Sequence, residues 1–323
     1  MYDYKEILIA AERLKGVIQE TPLFESSELN EKTKGKVLIK PECLQRTGSF
    51  KLRGAYNLMC QLSDADASRG VVAFSSGNHA QGVALAGNLL GIKTTIVIPE
   101  DAPKAKIENT KKLGGNVILY NRYKEDREEI AKKIALESNS TLVPSYDHKD
   151  IIIGQGTVGL EIIQQCKEMN VTLDQVIICC GGGGLSAGSS LAIKGFLPEA
   201  AIYLVEPRYF NDTQESFNAR RRIKNETDKK SICDALLAEM PGELTFSINK
   251  ELASDVLTVS DAEVKDAMRF AFLYLKMVVE PGGAVALAAT LHKKIELEGR
   301  VTAIVLSGGN VDRELFDAIQ SSG

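Results

Sequence analysis

Short runs of β-branched and aliphatic residues alternate with helix-patterned stretches along almost the whole chain. The clear β-rich runs are Lys36–Lys40, Val71–Phe74, Thr94–Ile98, Asn116–Leu119, Gln175–Cys179, Ala201–Val205 and Val301–Leu306. Such alternation is the signature of parallel sheets covered by helices on both faces. Between Val71 and Asp126 the order is strand, helix (about Ala80–Leu90), strand, helix (about Pro103–Leu113), strand. Pro103 suits a first helical turn and Gly114-Gly115 a helix stop, so this stretch makes a compact three-layer unit. From Asp150 a second series begins with Ile151-Ile152-Ile153 and runs through the apolar stretch ending in Cys180 to Val301–Leu306, forming a larger sheet. A helix at about Tyr4–Lys15 and the Lys36–Lys40 strand precede the small unit, so the larger domain takes back the N-terminal segment. The expected fold class is α/β with two three-layer open-sheet domains. They are a discontinuous large domain of residues 1–47 and 147–323 and a small domain of residues 48–146. The cleft they share is where ligand sites preferentially lie.

The length of 323 residues suits two domains with ample core. Lys+Arg 39 against Asp+Glu 43 leaves a net charge of −4, and 44% hydrophobic with 25% charged residues excludes a disordered chain. The one basic block, Arg220-Arg221-Arg222 with Lys224, is followed by Glu226 and Asp228 and reads as a solvated segment. Neither nucleic acid nor a membrane surface is therefore expected as a partner. The six cysteines (Cys43, Cys60, Cys166, Cys179, Cys180, Cys233) show no C-x-x-C or paired Cys/His spacing, which fits reduced thiols in the cytoplasm. No run reaches the roughly 18 apolar residues that a bilayer crossing needs, and Met1–Glu6 lacks the basic start of a signal peptide.

Gly181-Gly182-Gly183-Gly184-Leu185-Ser186-Ala187-Gly188 joins an apolar strand to a helical stretch, Ser189–Phe196. Successive glycines let backbone N–H groups converge, and the helix start adds partial positive charge, so a phosphate fits there. Which phosphate is left open. Gly182-x-Gly184-x-x-Ala187 also satisfies the dinucleotide fingerprint, with Glu206 at the end of the next strand as a ribose-binding acid. A second match, Gly154-x-Gly156-x-x-Gly159, follows Ile151–Ile153, so an NAD-dependent oxidoreductase stands as an alternative.

Lys51 lies at the start of an expected helix, between Phe50 and Leu52 and close to Arg53. Burial, like charge and the helix dipole would all disfavour its ammonium form, and a neutral amine can attack an aldehyde. On this segment alone an ordinary surface lysine is the better reading. Ser75-Ser76-Gly77-Asn78-His79 then packs two hydroxyls, an amide and an imidazole into the turn after Val71–Phe74. At the C-terminal edge of a parallel strand, with helix-start N–H groups, this turn is ready for a carboxylate.

Together these segments resemble the fold-type II pyridoxal-phosphate enzymes of tryptophan synthase β-like architecture, and within them the threonine/serine dehydratase and serine racemase family. The resemblance runs from Pro22-Leu23 through Ser49–Ala55, Ser75–Gln81, Gly154–Thr157, Gly181–Gly184 and Glu280–Ala284 to Ser307–Asn310. It implies pyridoxal 5′-phosphate as cofactor, joined to Lys51, with Phe50 against its ring and Asn78 on its phenolic oxygen. Gly181, Gly182, Gly183, Gly184 and Leu185 would hold the phosphate, Ser307 would face the pyridine nitrogen, and Glu280 would lie near the ring. Ser75, Ser76, Asn78, His79 and Gln155 would surround the substrate carboxylate, and a homodimer is implied.

A neutral serine hydroxyl leaves the ring nitrogen largely unprotonated, which favours fast loss of a β-hydroxyl over transamination. The expected activity is therefore an ammonia-lyase (dehydratase) taking L-threonine or L-serine to a 2-keto acid and ammonia, with Lys51 removing the α-proton. Ser76 stands where racemases of this family carry their second acid/base, so serine racemase is an alternative. Pro241–Phe246 resembles a subgroup acting on hydroxylated amino acids, which adds 3-hydroxyaspartate ammonia-lyase. Glu206, the Phe210 carbonyl and Asp212 resemble the divalent site of serine racemases, with oxygen ligands suited to Mg²⁺, Mn²⁺ or Ca²⁺; a capped turn is the equal alternative. Ala235 stands where relatives often carry glycine, which would narrow the wall beside the cofactor.

Overall fold

The computed structural model describes residues 3–75, 77–102, 104–225 and 228–322. From the N-terminus the chain forms α1 (Lys5–Leu14), β1 (Phe24–Glu25), α2 (Ser27–Thr33), β2 (Lys36–Pro41), α3 (Lys51–Met59), α4 (Asp64–Arg69) and β3 (Val71–Phe74). Next come α5 (Asn78–Leu90), β4 (Thr94–Pro99), α6 (Lys104–Lys112), β5 (Asn116–Tyr120), α7 (Arg127–Ser138), β6 (Thr141–Leu142), α8 (Lys149–Glu168) and β7 (Gln175–Cys179). The chain continues with α9 (Gly184–Phe196), β8 (Ala201–Pro207), α10 (Asp212–Ala219), α11 (Glu243–Leu252) and β9 (Asp255–Val259). It closes with α12 (Asp261–Phe270), α13 (Pro281–Leu291), β10 (Val301–Leu306) and α14 (Arg313–Ser321).

Two sheets result, ordered β1-β2-β10-β7-β8-β9 and β5-β4-β3-β6. Every pairing is parallel except the short β1 edge on β2. In the larger sheet all five residues of β7 and the last five of β10 are buried, because helices cover both faces and leave no solvent side for alternation. One of those helices is α13. Pro281 opens it at the position where a missing N–H costs nothing, and Ala284–Ala289 are wholly buried, so this apolar helix belongs to the core of the chain. Among the described residues no helix is long and apolar enough to cross a membrane.

Ile151–Ile153 are not a strand. They form the first turn of the 20-residue α8, which lies against α1, α3 and α9 and is therefore apolar nearly all round. Three consecutive isoleucines imitate a buried strand locally, and tertiary packing decides otherwise. The glycines that follow serve that packing: a Cβ on Gly154 would fall 2.6 Å from the Arg53 carbonyl, on Gly156 2.7 Å from that of Gly188, and on Gly159 2.6 Å from that of Ser189. The second dinucleotide fingerprint is thus a helix-contact face with no strand before it.

Arg53 turns away from Lys51 into a buried ion cluster. Its Nε and Nη2 donate to Glu42 at 2.7 and 2.8 Å, and Nη1 and Nη2 to Glu161 at 2.5 and 2.9 Å. Lys40 completes the group at 2.6 Å from Glu161. Two cations and two carboxylates offset one another there, tying α3 to the end of β2 and to α8.

Candidate functional site

Lys51 is the first residue of α3, and its Nζ donates to the Ser145 carbonyl at 2.7 Å. The amine stands 5.2 Å from the centre of the Phe50 ring. Burial brings its pKa down to about 8, opposed by the Cys179 thiol and Glu280. The expected repulsion from Arg53 plays no part, since that guanidinium is spent in the ion cluster. Desolvation alone frees the amine.

The glycine loop lies across from it. β7 ends at Cys179, and the chain turns through Gly181-Gly182-Gly183 into α9, with Gly183 in the left-handed region at φ +91°. Gly182 and Gly184 are dictated by close approach. A Cβ on Gly182 would collide with the Tyr146 ring, and one on Gly184 would fall 2.5 Å from Gln155 Oε1. Among the described residues nothing accepts a hydrogen bond from the amides of Gly182, Gly183, Gly184 or Leu185. Four unspent N–H groups at the positive end of a helix form a seat for phosphate. The loop carbonyls point elsewhere, to Thr245 Oγ1 on Gly182 at 2.6 Å and Asn249 Nδ2 on Gly183 at 3.3 Å.

On a third side, Asn78 Nδ2 donates to Glu280 Oε1 at 2.5 Å, while its Oδ1 accepts from Asn310 Nδ2 at 2.7 Å. Burial pushes the Glu280 carboxyl up to about 7, helped by Asp234. Ser307 lies just beyond β10; its carbonyl accepts from the Phe50 N–H at 3.2 Å, and Ser49 bridges to Gly308. Burial drives the neighbouring Cys179 thiol up to about 11, partly offset by the Ser307 hydroxyl. Ser75 is half-buried at the end of β3, and its Oγ accepts from the Gly77 N–H at 3.2 Å. Ser76, and with it the expected second acid/base, lies outside the described residues, as does Pro103.

His79 and Gln155 face the same space in different ways. The His79 Nε2–H donates to the Val143 carbonyl at 2.9 Å, and burial followed by the Lys51 charge lowers its pKa to about 3. The ring is neutral, so it brings no charge to a carboxylate. Gln155 Nε2 reaches the Ser145 carbonyl at 3.5 Å, and its Oε1 is buried without a partner. A Cβ on Gly282 would lie 3.2 Å from that of Ala235, so Ala235 does stand in the wall beside the loop.

Glu206 and Asp212 sit behind the loop, where both carboxylates act on Cys180. Glu206 accepts the N–H groups of Thr213 at 3.0 Å and Gln214 at 2.9 Å, capping α10. Burial and then Asp212 raise its pKa well above the ordinary carboxylate value, and burial raises Asp212 to about 7. Both oxygens of Asp212 are buried without partners, a donor set that suits a hard cation or a proton. Among the described residues no three His, Cys, Asp or Glu side chains gather as metal ligands, so a cation here would lean on carbonyls such as that of Phe210 and on water. Glu206 is in neither case a ribose acceptor, so the dinucleotide reading lacks its acid at the first fingerprint and its strand at the second.

The structure thus gathers Phe50, Lys51, Asn78, Gln155, Glu280, Ser307 and the glycine loop. Sequence reasoning passed over Ser145 and Tyr146, which touch the lysine and the loop, and Asp147, which holds the start of α11; their only local signal is a turn-like Pro-Ser-Tyr-Asp run before a helix.

A family model described as "Pyridoxal-phosphate dependent enzyme" matches residues 14–308. The chain is 44% identical over 316 residues to an L-threo-3-hydroxyaspartate ammonia-lyase from Pseudomonas sp, covering 98% of both chains. It is 42% identical over 313 residues to a serine racemase of Schizosaccharomyces pombe, covering 97% of this chain and 95% of the other. The solved structure of maize serine racemase superposes with a TM-score of 0.92 at 37% identity, over 99% of this chain and 97% of that one. An orphaned helix-start seat facing a buried lysine of lowered pKa is what such a cofactor needs, and the chain belongs to the pyridoxal-phosphate-dependent enzymes of fold-type II, in their ammonia-lyase and racemase family.

Proposed function

We propose that the chain is an ammonia-lyase for small β-hydroxy-α-amino acids, L-threonine and L-serine first among them, releasing a 2-keto acid and ammonia. The observation that carries this reading is the Lys51 amine, brought to a pKa of about 8 by burial and facing the unspent amides of Gly182–Leu185. When bound, pyridoxal phosphate supplies an aldehyde for the substrate amine and a ring that takes up the electrons of the α-carbon.

The chain's own groups do the rest. Lys51 would hold the cofactor's aldehyde, and its amine of lowered pKa is the group placed to take the proton from the α-carbon. Gly181–Gly184 and Leu185 would hold the phosphate, Phe50 would pack against the ring, and Asn78, fixed by Glu280 and Asn310, would orient the phenolic oxygen. Ser307 would meet the ring nitrogen with a neutral hydroxyl, which would favour elimination. Ser75, Asn78, the helix-start amide of His79 and Gln155 bind the substrate carboxylate. Glu206, Asp212 and the Phe210 carbonyl would be the groups to hold a divalent cation behind the loop, Asp212 with both oxygens buried and without partners. Six free cysteines support a reducing, cytoplasmic setting, and the two sheets support a small domain of residues 48–146 within a larger one; a homodimer follows from the family resemblance alone.

A second reading, 3-hydroxyaspartate as substrate or serine racemisation through Ser76, is favoured by the names of the two relatives. One panel decides: L- and D-serine, L-threonine and 3-hydroxyaspartate, assayed for keto acid and for inverted enantiomer, with and without EDTA. Keto acid from L-threonine or L-serine that Lys51→Ala abolishes is the expected result. Turnover of 3-hydroxyaspartate alone, or inversion without keto acid, would replace the proposal by the second reading. Activity lost to EDTA and restored by Mg²⁺ is the result expected of the Glu206/Asp212 seat.

A further inference from the structure

Between β6 and α8 the chain passes through Ser145, Tyr146 and Asp147, and each grips a different part of the site. The Ser145 carbonyl accepts from Lys51 at 2.7 Å and from Gln155 at 3.5 Å. Tyr146 lies on the glycine loop so closely that a Cβ on Gly182 would collide with its ring, and one on Gly184 would fall 3.0 Å from its own Cβ. Asp147 accepts three amides from the first turn of α11: Oδ2 from Glu243 at 2.8 Å, and Oδ1 from Leu244 at 2.9 Å and Thr245 at 3.1 Å.

Helix α11 holds the loop from the other side. Thr245 Oγ1 donates to the Gly182 carbonyl at 2.6 Å, and Asn249 Nδ2 reaches that of Gly183 at 3.3 Å and Ser186 Oγ at 3.0 Å. The contacts close a ring: loop to α11, α11 to Asp147, Asp147 through its neighbour Tyr146 back to the loop. A carboxylate on three N–H groups at a helix start is the strongest tie in that ring, because each bond is charge-assisted and the dipole adds to them. A run of glycines has almost no side-chain packing of its own, so its shape is set by whatever grips it.

We propose that Asp147 is a positioning residue: anchored on α11, it presses Tyr146 onto the glycine loop and holds the Ser145 carbonyl at the Lys51 amine, so that one strap sets both the phosphate seat and the lysine. The inference rests on the reading of this space as the pyridoxal-phosphate site. It adds a coupling between cofactor retention and a carboxylate that touches neither cofactor nor substrate.

The test compares Asp147→Ala, Asp147→Asn, Tyr146→Ala and the double variant Asp147→Ala/Tyr146→Ala with a control, Ser26→Ala. Ser26 caps α2 through the Leu29 N–H, so the control removes a comparable cap elsewhere. Holoenzyme is dialysed against graded pyridoxal phosphate, and the bound fraction is read from visible absorption. Asp147→Ala and Tyr146→Ala each weaken retention about tenfold, the scale of one charge-assisted hydrogen bond. Asp147→Asn loses less, because one acceptor oxygen remains. The double variant is no worse than either single one, since both break the same strap. Ser26→Ala keeps wild-type retention and an unshifted band. Full retention in Asp147→Ala, additive losses in the double variant, or equal weakening in Ser26→Ala each overturns the strap. A wild-type chain without saturable binding overturns the cofactor reading itself, an outcome visible before any variant is made.

Discussion

Asn78 and Glu280, 202 residues apart, meet through a 2.5 Å hydrogen bond from the Asn78 amide to the Glu280 carboxylate. Asn78 opens α5 on the smaller sheet, and Glu280 is the N-cap residue of α13 on the larger one, so this bond spans the two sheets at the site. A Cβ on Gly308 would collide with Glu280 Oε1, which explains why the chain after β10 is glycine there.

Glu280→Gln tests what that carboxyl costs the fold. Its pKa rises from 4.5 in the unfolded chain to about 7 in the folded one, so between those values the folded chain binds a proton that the unfolded chain does not. Stability contributed by this group therefore falls as pH rises through that window. In the cofactor-free protein the glutamine variant is expected to be more stable than wild type at pH 8, by up to about 3 kcal/mol, and equal to it near pH 4. Urea titrations at both pH values measure this; a variant less stable at pH 8 would refute it.

Lys51 makes a kinetic prediction. With a pKa of about 8 against an ordinary 10.5, the amine is half neutral at pH 8. The rate at which cofactor-free protein combines with pyridoxal phosphate is expected to rise through pH 8 and level off above about pH 9. Stopped-flow absorbance follows it, and a rate still climbing at pH 10 would mark an ordinary lysine.

Gly182→Ala puts a methyl group into the Tyr146 ring. The expected result is a folded chain that retains pyridoxal phosphate at least tenfold more weakly, because either the loop or Tyr146 must shift. Gly91→Ala is the contrast: nothing lies within 4 Å of its Cβ, although its φ of +69° adds local strain far from the loop. Equal cofactor affinity in the two variants would mean that the ring is not set against the loop.

Glu161→Gln opens the buried ion cluster on one side, leaving Lys40 and half of Arg53 without counter-charge. Removing one member of a buried group of this kind costs about 3–5 kcal/mol, because the remaining charges stay in the interior. Chemical denaturation reads the loss directly, and a change below about 1 kcal/mol would show that the cluster is solvated.

Much of this architecture was legible because buried parallel strands need continuous apolar runs, and all seven expected runs are strands. Where local pattern and packing disagreed, packing won. Ile151–Ile153 carry every mark of a strand, yet the chain needs a helix whose glycines let α3 and α9 approach. The glycine loop announced itself because its chemistry is written in one short contiguous motif, whereas Lys51 stood out only once Ser75–His79 and the other segments were read beside it. Arg53 misled for the opposite reason, since nearness in sequence to Lys51 says nothing about which face of α3 it occupies, and its partners Glu42 and Glu161 lie 11 and 108 residues away. Asp147 was invisible on the same grounds: its helix starts 96 residues further on.

The position of β10 between β2 and β7 has a consequence for how the protein comes into being. The middle plank of the larger sheet is translated after every other described strand, and Ser307, whose carbonyl takes the Phe50 N–H, follows it. A nascent chain that already carries both the lysine and the glycines still has a gap at its centre. Until β10 is made, β2 and β7 have no strand to join them, and the larger sheet stays as two unjoined halves.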